Sequence, residues 1–169
     1  MLEIFVAIAI LAIVVGFAVP MFGDVIRNTA VSNQTNDLVT ALSTARSEAV
    51  RRGMQVAVVS VGGGADWSGG WQVVADTNRD GNFAAPDEVI STAPALGAQY
   101  HVFAKDAAGA DGRIVFNING ALATTGFDLN VCFPSGEADK SRRIRVRASG
   151  NVSSHKNTTG SPASACPST

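Results

Sequence analysis

Nineteen consecutive residues, Ile4–Phe22 (IFVAIAILAIVVGFAVPMF), carry no charge. As an α-helix such a run spans about 28 Å, close to the ~30 Å hydrocarbon core of a bilayer. A cleaved secretory signal is the plain alternative. It calls for a basic n-region, a shorter apolar core and a small-residue cleavage site. Here the only charge before the run is the acid Glu3, and a long polar helical pattern follows it. The run is therefore expected to be a membrane helix. A carboxylate at the edge of an apolar span is costly unless paired, which makes Glu3 a candidate functional residue. Pro20 removes the hydrogen bond to the Gly16 carbonyl, and Gly16 itself weakens the helix, so a soft point between the two is expected. An ordinary anchor with a tolerated kink would carry the same residues.

Beyond Pro20 the helical period continues. Val31, Leu38, Leu42, Ala45 and Ala49 recur at steps of seven, four, three and four, with Asn33, Asn36, Asp37, Arg46 and Arg51 off that stripe. Glu48 and Arg52 form an i,i+4 pair, and Gly53 is a natural stop. One helix of about fifty residues follows, apolar all round over residues 1–23 and amphipathic over 24–53.

From Met54 onward the period becomes strand-like. Candidate strands are Gln55–Val61, Gly70–Ala75, Glu88–Thr92, Gln99–Ala104, Arg113–Asn117, Phe127–Phe133 and Arg143–Ala148. Turn signals separate them at Gly62-Gly63-Gly64, Asp80-Gly81, Pro94, Asp111-Gly112, Asn119-Gly120 and Pro134-Ser135-Gly136. The expected fold is α+β: two small antiparallel sheets packed on the amphipathic half-helix, with residues 54–169 as a β-rich head on a helical stalk. At 169 residues and 46% hydrophobic content, the chain suits one compact domain and excludes a disordered one.

The net charge of −1 excludes a protein that is basic throughout. The charges are nevertheless segregated. Between Val61 and Asp111 seven acids face two bases, whereas six bases face one acid from Ala138 to Lys156. In the second stretch, SRRIRVR would place Arg143, Arg145 and Arg147 on one face of a strand, about 7 Å apart, and Ile144 and Val146 on the other. With Lys140, Arg142 and Lys156 nearby, such a ridge suits phosphates, and DNA is the candidate ligand. A charged edge that blocks sheet aggregation, or a subunit contact, is the competing reading.

Asp76-Thr77-Asn78-Arg79-Asp80-Gly81 looks like the front of an EF-hand loop, with Asp76, Asn78 and Asp80 as weak calcium candidates. The twelfth position is Asp87 and Glu88 comes one residue late, with strand-like sequence on both sides. A hairpin turn accounts for the same residues. Catalysis finds no support. His101 and His155 lack a nearby nucleophile or acid motif, and Gly62-Gly63-Gly64 lacks the Lys-Ser/Thr of a phosphate loop. No enzyme and no cofactor are expected. The two cysteines, Cys132 and Cys166, pair if the head lies outside the cytoplasm, closing a loop of about 35 residues worth ~4 kcal/mol. The bond would staple a tail, Gly150–Thr169, rich in Ser, Asn, Thr and Gly. A metal or reactive role would need a CxxC or a nearby His.

LEIFVAIAILAIVVGFAVPMF, then TALSTARSEAVRRG, GGWQVVADTNRDG, IVFNING and FDLNVCF, resemble type IV pilin-like proteins. Within them the chain is similar to the FimT/FimU minor pilins and the related GspH pseudopilins. The resemblance implies a subunit that helps assemble, initiate or cap a type IV pilus serving twitching motility, adhesion or DNA uptake. It implies a single-pass protein of the bacterial inner membrane with a periplasmic head, incorporated into a pilus or pseudopilus. The implied partners are other major and minor pilins, met through the N-terminal helix, and the inner-membrane assembly platform. Glu3 occupies the position of the family's assembly glutamate and Pro20 that of its helix-bending proline. The family's basic leader, Gly cleavage site and first two mature residues would precede Met1, so leader processing is not read from this stretch. Two alternatives stay open: a minor pseudopilin of a type II secretion system, and a pilus-associated DNA receptor. Some FimT proteins are thought to bind DNA through a GRxR-like stretch. Gly150-Asn151-Val152-Ser153 stands in its place without either arginine.

Overall fold

A computed structural model of the chain describes residues 2–104, 112–134, 137, 140–157 and 166, with the side chains of residues 2 and 14–22 outside that description. The turns expected at Asp111-Gly112 and Pro134-Ser135-Gly136 fall partly outside it. A single helix α1 (Leu2–Arg52) runs 51 residues, through Gly16 and Pro20. Its C-terminal half buries Val31, Leu38, Leu42, Ala45 and Ala49 at 0–1% exposure. Thr35 is also buried and fills the gap in the stripe between Val31 and Leu38. Its hydroxyl is satisfied locally, donating to the Val31 carbonyl at 2.7 Å, so a polar residue lies on the core face at small cost. Gly53 ends the helix in the left-handed conformation (φ 63°), its N–H bonded to the Ala49 carbonyl at 3.0 Å.

Eight strands follow: β1 (Val56–Ser60), β2 (Trp71–Ala75), β3 (Glu88–Ala93), β4 (His101–Ala104), β5 (Arg113–Phe116), β6 (Phe127–Cys132), β7 (Arg142–Val146) and β8 (Val152–Lys156). They form two four-stranded antiparallel sheets, ordered β3-β2-β1-β5 and β4-β6-β7-β8. Both sheets lie against α1, and one core joins the helix stripe to Trp67, Val73, Ile114, Phe116, Leu129 and Ile144. Period-2 patterning explains the layering. On β6, Phe127, Leu129 and Val131 enter this core while Asp128, Asn130 and Cys132 alternate onto the other face.

The eighth strand corrects the expected seven and the loose tail. Val152–Lys156 (VSSHK) has one apolar residue and no alternation to announce a strand. It forms because β7 offers an open ladder and the turn before it is locked, with Gly150 N–H on the Arg147 carbonyl at 2.7 Å and Arg147 N–H on the Asn151 carbonyl at 2.9 Å.

Among the described residues, nothing of the head covers the first turns of α1. Ile4, Phe5, Val6, Ile8, Ile10, Leu11 and Ile13 are 51–73% exposed. Among the described residues no helix is long and apolar enough to cross a membrane, and the side chains of 14–22, in the middle of the apolar run, are not among them.

At its other end, α1 is clamped to β3. Arg52 bonds Glu48 at 2.6 Å and Glu88 at 2.6 Å. Hydrogen bonds from Arg51 and then Arg52 hold the Glu48 carboxyl below its ordinary value of 4.5, and Arg52 does the same for Glu88. Both carboxylates bind fewer protons folded than unfolded, so the clamp is fully present above pH ~4.5 and is lost as pH falls through the lowered values. We expect a melting temperature flat between pH 7 and 5 and falling below about 4.5. Glu88→Gln should lower the plateau slightly and reduce the acid-side fall. A wild-type profile that superposes on that of Glu88→Gln at every pH would show that the clamp contributes nothing.

Candidate functional site

The sequence-derived candidates occupy four separate places. Glu3 lies on the first turn of α1 and is exposed, at the end of the uncovered apolar surface. Pro20 is within the helix, and its side chain lies outside the described residues.

The basic segment sits on β7. Ile144 and Val146 are fully buried in the core, and Arg145 and Arg147 are exposed on the opposite face. The fold brings an acid to this ridge. Asp128 of β6 stands opposite Arg145 in register, only 7% exposed. Its carboxylate accepts two hydrogen bonds from the Arg145 guanidinium, at 2.8 and 2.9 Å. The Arg143 guanidinium nitrogen Nε lies 3.8 Å from the same carboxylate. A bidentate arginine on a buried carboxylate is a strong, directional contact that a phosphate would have to displace. The other bases point elsewhere. Arg142 donates to the Ser32 hydroxyl on α1 at 3.1 Å. Lys140 reaches Glu137 at 2.8 Å and Asp24 at 3.2 Å, and these two acids, Glu137 first, raise its pKa. Lys156 is exposed on β8, opposite Arg142. Asp128, Glu137 and Asp24 thus offset part of the basic charge, while Arg147 and Lys156 stay exposed.

Asp128 was legible as a lone acid alternating outward in the apolar strand FDLNVCF. The reach of Lys140 and Arg142 to α1 had no local signal, because it joins residues 116 and 110 positions apart.

Near Gly150, an open groove of about 510 Å³ runs between α1 and the β7–β8 turn, lined by Ser43, Arg46, Ser47, Val50, Arg51, Gly150, Asn151 and Val152. Its two arginines are engaged. Arg46 donates to the Ser149 carbonyl at 3.2 Å, and Arg51 pairs with Glu48.

The acidic loop lies between β2 and β3. Carboxylate oxygens of Asp76, Asp80 and Asp87 gather within 4.8 Å of one another. Four of their six oxygens accept a backbone N–H, Asp80 Oδ1 from Asn82 at 2.7 Å among them, while Asp87 Oδ2 is buried with no hydrogen-bond partner among the described residues. Asp76 accepts from Asp80 N–H at 3.1 Å and Gly81 N–H at 3.0 Å, and Asp87 accepts from Thr77 N–H at 2.9 Å. Asn78 is turned onto Asp80, donating its amide at 2.9 Å and accepting the Asp80 N–H at 2.9 Å. These contacts make the segment a turn held by its own carboxylates.

Cys132, on the outer face of β6, is bonded to Cys166, with Cα atoms 5.6 Å apart and 34 positions between them in sequence.

With this geometry in view, the comparisons are specific. Residues 34–150 match the family described as type II transport protein GspH. Two solved structures of the type IV minor pilin FimU of Pseudomonas aeruginosa (strain PAO1), in space groups P65 and P21, share the fold. Their TM-scores are 0.58 and 0.59 at 22% sequence identity, over 82% of this chain and 95% and 90% of theirs. Among curated proteins no relative matches.

Proposed function

This chain belongs to the GspH family, and on that premise we propose that it is a minor pilin that helps initiate or cap a type IV pilus. One observation carries the reading. Seven large apolar side chains between Ile4 and Ile13 are 51–73% exposed, with no partner among the described residues of the head. A continuous apolar surface of that kind is covered either by lipid or by like helices. A stalk that is stored in the inner membrane and then packed into a filament core meets both conditions in turn. The Cys132–Cys166 bond supports a periplasmic or extracellular head, since structural disulfides persist in oxidising compartments. Other pilins and the membrane assembly platform are the partners this reading needs, and the role is a non-catalytic one.

A second reading, a minor pseudopilin of a type II secretion system, is favoured by the description of the matched family. Deleting the gene separates the two: loss of surface pili with normal protein secretion supports the pilus, and the reverse supports the secretion system. A DNA-receptor role draws less support, because Asp128 already engages Arg143 and Arg145.

Glu3 provides the direct test of assembly. Replacing it by Ala removes a charge from the edge of the apolar run and should leave membrane insertion intact. Recovery of the subunit in sheared filaments should fall clearly below wild type, since a carboxylate at the edge of an apolar span is costly unless a neighbouring subunit meets it. Normal recovery would make Glu3 passive and remove it from the assembly mechanism.

A further inference from the structure

We propose that Lys140 and Arg142 are straps that set the direction in which the apolar stalk leaves the head. The inference rests on the stalk being the packing element of a filament, because only then does its direction matter to a neighbour.

Hydrophobic packing stops short of this part of the helix. Among the described residues Val31 is the buried helix side chain nearest the N-terminus, and residues 25–29 are exposed. Two side chains of the head bond to the helix in this region. The Lys140 ammonium lies 3.2 Å from Asp24, seven residues or about 10 Å of helix below Val31. The Arg142 guanidinium donates to Ser32 at 3.1 Å. Lys140 is oriented from behind, 2.8 Å from Glu137 and 5.0 Å from the centroid of the buried Phe133 ring. Among the described residues Arg27 is a further charged group at the contact, 3.6 Å from Asp24 on the helix itself.

The helix is soft at the same place. Thr29, Ser32 and Thr35 each donate a side-chain hydrogen bond to the carbonyl four residues earlier, at 2.8, 2.8 and 2.7 Å. Such back-bonding loosens and bends helices, and Gly23 adds to it. A helix weakened along one side does not hold its own direction. Polar straps to a rigid sheet supply what its stiffness lacks, and the strap residues are Arg142, which opens β7, and Lys140 in the turn just before it.

The test uses the full chain in detergent micelles, with fluorophores introduced as non-natural residues at Ala9 and Thr124 so that the disulfide is untouched. Energy transfer between them reads the stalk direction. Wild type should give one narrow distance distribution. Lys140→Ala with Arg142→Ala should raise the population of other distances roughly tenfold, the scale for removing several weak exposed polar bonds at once. The head's melting temperature should change by less than about 2 °C. In a Glu137→Gln background, which spares the new acid a like charge at 2.8 Å, exchanging the charges by Asp24→Lys with Lys140→Glu should give a narrower distribution than either single change. A double-alanine variant with the wild-type distribution overturns the proposal, as does a charge exchange no narrower than its single changes. In cells, the double variant should enter filaments less than wild type. If wild type enters none, the pilin reading fails, while the distance measurement still decides the straps.

Discussion

Reduction of the Cys132–Cys166 bond, or its replacement by two serines, should lower the melting temperature of the detergent-held chain by roughly 10 °C. The bond closes a loop of 34 positions, and constraining such a loop in the unfolded chain is worth ~4 kcal/mol. Measured losses run at about 2–4 kcal/mol where the unfolded chain retains structure, and a domain of this size shifts by about 3 °C per kcal/mol. The loss should fall mostly on the second sheet. Cys132 ends β6, which is held between β4 and β7, so amide exchange should rise in β4 and β6 before β1 and β2. A melting temperature within 2 °C of the oxidised protein, or two free thiols in protein exported to the periplasm, would overturn the structural role of the bond.

The second large effect belongs to a glycine. Gly150 has φ 78°, and a Cβ built there lies 1.8 Å from the Gly120 carbonyl oxygen. That oxygen cannot retreat easily. Gly120 N–H is bonded to the Asn117 carbonyl at 2.8 Å, and Leu122 N–H to the Ala148 carbonyl at 2.9 Å, so the two turns are fastened to each other. Gly150→Ala therefore combines left-handed strain of about 1 kcal/mol with a backbone collision, and ~3 kcal/mol or more should be lost. Gly53→Ala is the control. It has φ 63° with nothing within 4 Å of the added carbon, so only the strain of about 1 kcal/mol remains. Denaturant melts should separate the two by about 2 kcal/mol. Equal losses would mean that the turns part freely.

These two glycines also mark how far local reading reaches. Gly53 was legible as a helix stop because its role depends on the four preceding residues, ending with its N–H on Ala49. Nothing around Gly150 shows that a turn thirty positions earlier presses against it. The same division runs through the candidate sites. Alternation in SRRIRVR put Ile144 and Val146 on the core side, but the worth of the arginines on the other face depended on Asp128, supplied by the neighbouring strand. The DTNRDG run was readable both as a turn and as a cation loop. Folding set Asp87, the twelfth position of that loop, beside Asp76 and Asp80 and turned Asn78 onto Asp80, but it also put four of the six carboxylate oxygens onto backbone N–H groups.

What the sequence determined by itself is what one period or one turn can carry: the uncharged opening run, the buried stripe from Val31 to Ala49, the stop at Gly53, and seven of the eight strands. The tertiary structure alone decided the partners of the charges, the polar eighth strand, and the bonds from Lys140 and Arg142 across more than a hundred residues to the helix. The physical reason is that hydrophobic burial needs only a face and is written as periodicity along the chain. Hydrogen bonds and ion pairs need a particular partner at about 3 Å, and that partner exists only once the sheets have closed on the helix.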